Sequence, residues 1–539
     1  VDGLLMAEQL LTGSIAAPGF YGLNVQDSSV QLSSGFALEA NNCVIDKYGR
    51  IGARQGWTPV NTTRLASQGN FKAIYEVFKD DGNAVLSAAN NKIYVGTSTL
   101  SELLVRNGTN TANLSYTISD DNWQISGMPY DTGATPSGHA ILAQSGQPTL
   151  VYHKLGSVAH AHTGSYGLQR LGDIASNLPG NYTVNDFTPN IVMTAYGRVW
   201  VADIANDRQT VYFSDLLDPT EWKTGTSGYL NISEVVPNND PIVALASHNG
   251  FLIIFCEKHI VIYSNPVDPS ALSLSDTITG IGCIARDSVA SIGTDLMFLS
   301  ATGVQSLQRV VQEKSLPFRD VSKNVRDDLL ANVNSEVLKY IKAVYFPTDA
   351  FYLLSLPSTG FTYCFDTRGS LENGAARTTI WKQIRPTAFC VTQDRQLYIG
   401  KDGYIGKYNG YEDNGAKYRM SYYTNYFNFD SDAQIKILKK INVTAIGGSS
   451  QPIAVKWGYD YTRNYFSRGI TLDRVEVFEY GVAEYGLATY TNGIALDIAR
   501  IPASGSGTVL QLGFESDIDG TPLSIQKIDF ALKQGKTLL

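Results

Sequence analysis

The residues able to do chemistry in this chain are few. Histidine occurs six times, at His139, His153, His160, His162, His248 and His259. His160-Ala161-His162 would set two imidazoles on one face of a strand, as a two-histidine metal site needs. No carboxylate or cysteine stands at a spacing that completes the set, so a loop fits these residues better and no metal is expected. Three carboxylate pairs have the residue type for glycoside hydrolysis: Asp120-Asp121, Asp215 with Asp218, and Asp430 with Asp432. A glycosidase holds its two carboxyl groups roughly 5–9 Å apart across a groove, and close neighbours on a turn do not ensure that. Turn residues are the expectation at all three. Motifs for a serine-hydrolase elbow, a zinc helix, a dinucleotide fold or a P-loop are missing. No catalytic residue and no cofactor is therefore expected, and the chain reads as a non-enzyme.

Two further strings look chemical and have structural explanations. Ser119-Asp120-Asp121-Asn122-Trp123 has the outline of a sialidase Asp-box without its glycine. Ser214-Asp215-Leu216-Leu217-Asp218-Pro219-Thr220-Glu221-Trp222 is the most distinctive stretch. Its Ser and Asp suit side-chain-to-backbone capping of a turn. Pro219 fixes the bend, and Trp222 can fold back as an apolar plug.

The elements that would position these residues are strands. Val211 to Tyr263 holds three β-branched runs separated by Asp-Pro, Asn-Asn-Asp-Pro and His-Asn-Gly, the grammar of short antiparallel strands. Similar strand-rich cores begin near Ile74, Ala140, Ile191, Ile242, Val289, Ala343 and Phe389, each followed by a turn and a second strand. Their spacing is close to the ~40–50 residues of a four-stranded propeller blade. A blade cannot bury both faces alone, so radial stacking must supply the core. Tyrosine at 31 and glycine at 49 residues, against 5 methionines, suit half-buried strands and frequent turns.

The expectation is an all-β chain: a β-propeller-like core, an additional β-sandwich or platform region, and one amphipathic helix. Residues 1–66 read as an N-terminal arm and hairpin, in which Asp46–Gly49 turns between two strands and Arg50 and Arg54 lie on the second. Residues 67–410 form the repeat region. Within it, Val325, Leu329, Val333, Val337 and Ile341 recur every four residues and predict a helix over 321–342. Residues 411–539 read as the sandwich, ending in a hairpin turned at Asp517–Gly520.

Bulk properties exclude several classes. A net charge of −8 gives nothing for phosphates to grip, although an acidic conduit would let a duplex slide without sticking. Cys43, Cys256, Cys283, Cys364 and Cys390 are scattered and odd in number, which predicts buried thiols and no disulfide framework. Asn-x-Ser/Thr triplets at Asn61, Asn107, Asn113, Asn181, Asn231 and Asn442 are what an Asn/Ser/Thr-rich composition produces by chance. No signal peptide and no membrane-spanning run is read.

The order of strings resembles the nozzle proteins of short-tailed bacteriophages, the tail tubular protein B-like family. G-L-N-V-Q followed by L-E-A-N-N-C-V-I-D-K-Y-G-R-I-G-A-R-Q-G-W resembles that family's opening, with Gly22, Asn42, Gly49, Arg50, Arg54 and Gly56 at the matching positions. G-R-V-W-V-A through D-P-T-E-W, the D-P-I-V-A-L string and G-I-G-C-I-A-R through A-T-G-V resemble its blade strings, with Arg198, Ser214, Asp215, Pro219, Trp222, Asp240, Gly280 and Gly303 at the corresponding positions. The resemblance covers about three quarters of the chain and is weakest over 416–500. It implies a homohexameric ring in the virion tail, made in the cytoplasm of a bacterial host. The ring would sit below adaptor and portal proteins, carry fibres or spikes at its side, and retain and then pass double-stranded DNA without reading its sequence. The alternative is a β-propeller that binds or cleaves glycans, as a host-recognition module or a glycosidase.

Overall fold

The computed structural model describes residues 10–29, 31–65, 70–79, 81–130, 137–155, 165–175, 177–237, 239–313, 320–429, 431, 433–447, 452–472 and 497–537. Strands make up 52% of the chain and helices 6%, so the all-β expectation holds. Asp430, Asp432, His160 and His162 lie outside the described residues. No helix among them is long and apolar enough to cross a membrane.

The repeat region is a β-propeller. Six sheets of three to five strands act as blades, and a seventh position in the ring is filled by the first four strands of a larger, ten-stranded sheet. The inner strands are Ala73–Val77, Gln124–Tyr130, Ile191–Ala195, Ile242–His248, Ala290–Ser291, Lys342–Phe346 and Phe389–Val391. They follow one another around the axis in chain order, and the last packs on the first. Within a blade, successive strands pair antiparallel. Asn249-Gly250 and Asp402-Gly403 both adopt positive φ at two successive positions, the conformation that matches a two-residue hairpin to strand twist. Trp57–Pro59, from the N-terminal region, is the fourth strand of the last blade, paired antiparallel to Tyr404–Tyr408.

The rest of the chain forms a sandwich that grows out of the ring. The ten-stranded sheet runs from the sixth blade position, Lys342–Phe346 to Ala376–Lys382, through Gly22–Leu23, Phe36–Asn41, Tyr418–Thr424 and Leu510–Ile518 to Pro452–Tyr459 and Phe466–Thr471. Facing it is a seven-stranded sheet built on Gln434–Ile446 and Ser524–Thr537, with Leu10–Ala16 paired to the latter. Ile441, Val443, Ile528 and Phe530 from one sheet share a buried core with Val455, Trp457, Leu512 and Phe514 from the other. Propeller and sandwich are thus joined through a continuous hydrogen-bonded sheet.

Three expectations change. The helix over 321–342 is shorter: a 3-10 turn at Lys323–Val325, an α-helix at Arg326–Asn334, and a second 3-10 turn at Leu338–Tyr340 before Lys342 begins an inner strand. Glu336 breaks the period, because its carboxylate accepts from the backbone of Val337, Ser358 and Thr359 and from Ser358 Oγ. Val325, Leu329, Val333 and Ile341 remain buried while Val337 is exposed. The Asp517–Gly520 turn does not close a hairpin; Leu510–Ile518 and Ser524–Thr537 belong to different sheets. Ala140 opens no blade either, since it lies in the second strand, Ser137–Gln144, behind the inner strand Gln124–Tyr130.

Candidate functional site

All seven inner strands start at the same end of the axis, so the residues just before them converge there. Arg286 and Asp287 precede Ala290–Ser291, Asn122 precedes Gln124–Tyr130, Asn190 precedes Ile191–Ala195, and Lys342 opens its own strand. The Arg286 guanidinium grips Asp287 in a fork, Nε to Oδ1 at 2.9 Å and Nη2 to Oδ2 at 2.8 Å. Its remaining donors reach the Asn190 carbonyl (2.7 Å), Asn190 Oδ1 (2.9 Å) and the Asn122 carbonyl (2.9 Å). Lys342 Nζ donates to Asn122 Oδ1 at 2.7 Å and to Asp287 at 2.5 Å. Beside this cluster, Asp120 is shared between Lys72 (2.7 Å) and Lys339 (2.8 Å).

Burial pushes the Asp287 carboxyl up, but the charges and hydrogen bonds of Arg286 and Lys342 outweigh it and hold the group at about 2. Asp120 is likewise at about 2, where hydrogen bonds from Lys339 and Lys72 overcome desolvation. Carboxylates this acidic stay ionised near neutral pH and cannot relay protons there. The five cysteines are buried and unbridged, and burial raises their thiols, Cys283 to about 11 and Cys390 to about 12, so they are not nucleophiles. Among the described residues no cluster of three His, Cys, Asp or Glu side chains is placed to hold a metal. The axial arrangement ties blades together and has no free acid, base or nucleophile.

This gives a pH prediction. Asp287 has a folded value below its ordinary 3.8. Its stabilisation is therefore complete above the unfolded value and lost as pH falls from about 4 towards 2. At ~1.4 kcal/mol per pH unit, the group accounts for about 2 kcal/mol of acid-sensitive stability. Asp287→Asn should lower stability at neutral pH and flatten the limb between pH 4 and 2 in urea titrations. An unchanged limb would show that Asp287 is not held by its two cations.

The positions singled out in the sequence fall into separate places. Six lie in the N-terminal region, and three of them, Asn42, Arg54 and Gly56, meet the segment from Glu412 to Arg419. Arg54 is fully buried, forked onto Asp413 at 2.8 and 2.7 Å, stacked 4.0 Å over the Tyr418 ring, and bonded to Asn42 Oδ1 at 3.1 Å. Asn42 also accepts from the Lys382 backbone and donates to the Arg419 carbonyl. Arg50 pairs with Asp46 at 2.6 Å. Gly22, Gly49 and Gly56 have no room for a Cβ against Thr378, Pro18 and Glu412.

The next five hold the third blade. Arg198 donates to the carbonyls of Ser214 and Thr226, Ser214 Oγ accepts from Val199, and Asp215 accepts from Leu216 and Thr226. Trp222 is the buried plug, its Nε1 donating to Pro219 and its ring edge-on to Phe187. In the fourth blade, Asp240 accepts from the backbone of Glu257 and Lys258 and from His259 Nδ1 at 2.7 Å. Gly280 lies at a bend and Gly303 opens the strand Gly303–Ser306, with φ of 83° and 123°.

Asp121 is tied to the backbone amides of Asn91 and Lys92, and Asp215 and Asp218 bridge within one turn. Neither set forms a carboxylate pair facing a groove. Sequence reasoning missed the axial cluster. Its one local signal is the dipeptide Arg286-Asp287 immediately before a strand.

Two clefts open at this end. A smaller one, about 220 Å³, follows the axis past Trp123, Arg286, Asp287 and Lys342. A larger one, about 400 Å³, lies between the first, sixth and seventh blade positions and is lined by Asn70, Lys72, Tyr340, Pro357, Ser358, Arg385, Thr387, Lys401 and Asp402.

No family model matches the chain, and no curated protein does. Solved structures with partial likeness include PorZ, a bacterial surface component of the type-IX secretion system of Porphyromonas gingivalis, at 13% identity and a TM-score of 0.34, covering 65% of this chain and 37% of PorZ. A streptogramin B lyase structure aligns at 10% identity and a TM-score of 0.34, over 64% of this chain and 95% of the lyase. The chain therefore spans little more than a third of PorZ and nearly all of the lyase.

Proposed function

We propose that the chain is a structural subunit, the tail nozzle of a short-tailed bacteriophage. Its copies form a ring below the adaptor and portal that retains packaged double-stranded DNA and becomes the channel for its exit, with fibres or spikes at its side. The observation that carries this reading is how the family-like positions are used. Arg54, Asn42, Arg198, Ser214, Asp215, Trp222 and Asp240 make joints between strands, and none of them lines either cleft at the propeller mouth. Such usage suits a part whose work is to hold shape.

Assembly has a candidate surface. On the outer face of the seven-stranded sheet, Lys440 and Arg500 are exposed, Lys527 is partly so and paired with Asp529, and Ile498 and Leu10 add exposed apolar area. A basic face on a chain of net charge −8 complements the acidic remainder of a second copy, a heterologous contact that closes into a ring when the rotation permits.

The test is particle mass by light scattering together with negative-stain images. A ring of about six copies with an open centre is the expected result. A monomer at tens of micromolar protein that releases reducing sugar from bacterial polysaccharide would replace this reading with a glycan-cleaving propeller. The second reading, a glycan-binding propeller, is favoured by the larger cleft.

A further inference from the structure

We propose that the 400 Å³ cleft between the first, sixth and seventh blade positions binds a small sugar anion, its phosphate or carboxylate seated on Arg385, Lys401 and Lys72. The volume is in the range of small-molecule sites, ~300–1,000 Å³.

Charge points to an anion. Lys401 and Lys72 are largely withdrawn from water, with side-chain exposures of 14% and 29%. Each has an acidic partner: Asp402, itself on the cleft wall, for Lys401, and Asp120, shared with Lys339, for Lys72. Asp402 contacts Lys401 at 2.9 Å and is 56% exposed. Asp120 is divided between Lys72 and Lys339. Glu336, behind Ser358, is engaged by Ser358 and Thr359. Around the cleft, Lys72, Lys339, Arg385 and Lys401 therefore outnumber Asp120, Asp402 and Glu336. Among the described residues the Arg385 guanidinium has no acidic partner and no protein acceptor. An arginine fork left open beside two half-buried ammonium groups matches the planar oxygens of a carboxylate or phosphate.

Arg385 is an exposed residue on the loop between the sixth and seventh blade positions. Gln383 and Arg385 both hold positive φ, 77° and 41°, although neither is glycine. The Arg385 guanidinium lies against Gly360, itself at φ +84°, where an added Cβ would come 2.6 Å from Nε. Tyr340, whose ring lies 4.5 Å from Lys72 Nζ, and Pro357 give the cleft the apolar wall that a sugar ring packs on.

The site is independent of ring assembly, so the two readings fail separately. Calorimetry on the full chain at low ionic strength, with glucose 6-phosphate, glucuronate, inorganic phosphate and neutral glucose, tests it. Saturable binding of at least one sugar anion, with a Kd on the order of 1 mM, no binding of glucose and weakening by added salt are expected. Arg385→Ala and Lys401→Met should each weaken it tenfold or more. Gly360→Ala, which displaces the guanidinium without removing charge, should do the same, with circular dichroism confirming that each variant is folded. A preference between the phosphate ester and the uronate names the anion. The proposal is overturned by the absence of heat with both sugar anions, by inorganic phosphate binding more tightly than either, or by unchanged affinity in Arg385→Ala.

Discussion

Replacing Arg286 by methionine is expected to destabilise the protein by about 3–5 kcal/mol, the usual result of removing one partner from a buried charge network. That is a large share of the ~5–15 kcal/mol separating folded from unfolded chains. The loss would not be confined to one ion pair. Arg286 also satisfies the carbonyls of Asn122 and Asn190, so its removal leaves acceptors from the second and third blades unpaired at the axis. Asp287 would keep Lys342, which caps the loss, and Arg286→Lys should recover only part of it because an ammonium cannot reproduce the fork. Urea unfolding followed by tryptophan fluorescence reads this, since Trp123 lies in the same cleft. A methionine variant within 1 kcal/mol of the parent would sink the claim that this cluster holds the ring together.

Arg54→Ala should be comparably severe, also about 3–5 kcal/mol. The guanidinium is fully buried and joins three pieces of chain: Asn42 in the N-terminal hairpin, Asp413 after the last blade, and Tyr418 at the start of a sandwich strand. Alanine leaves the Asp413 carboxylate in place with its cation gone. Here the effect has an address. Hydrogen exchange should accelerate most in Ile51–Ala53 and Trp57–Pro59, the strands on either side of Arg54, and least in the third and fourth blades. Uniform acceleration across all blades would mean that the joint is not local.

The propeller was legible because its second strands are nearly pure apolar runs such as Phe251–Cys256, and because two-residue turns punctuate them. The inner strand Gln124–Tyr130 was not, since Q-I-S-G-M-P-Y mixes Gly and Pro into the strand and gives no apolar alternation. The helix was half legible: its apolar period is real up to Val333, and a contact from Ser358, distant in sequence, ends it. The axial cluster was illegible for a different reason. Arg286 and Asp287 are adjacent, but the partners that give them meaning, Asn122, Asn190 and Lys342, lie 164, 96 and 55 residues away. Sequence periodicity carries no information about which blade mouths meet. Arg54 stood out by its string, yet nothing local named Asp413 as its partner.

The last blade takes its fourth strand from a segment far upstream in the sequence, Pro59 opposite Gly406. On a ribosome, that early segment must wait with its edge unsatisfied while six other blade positions emerge. The N-terminal strand Leu10–Ala16 waits longer still, for Lys527–Lys533. Closure is therefore a late event built on distant contacts, the arrangement that slows folding. Nascent chains would spend their longest interval as an open arc, exposed to mispairing with a neighbouring nascent copy.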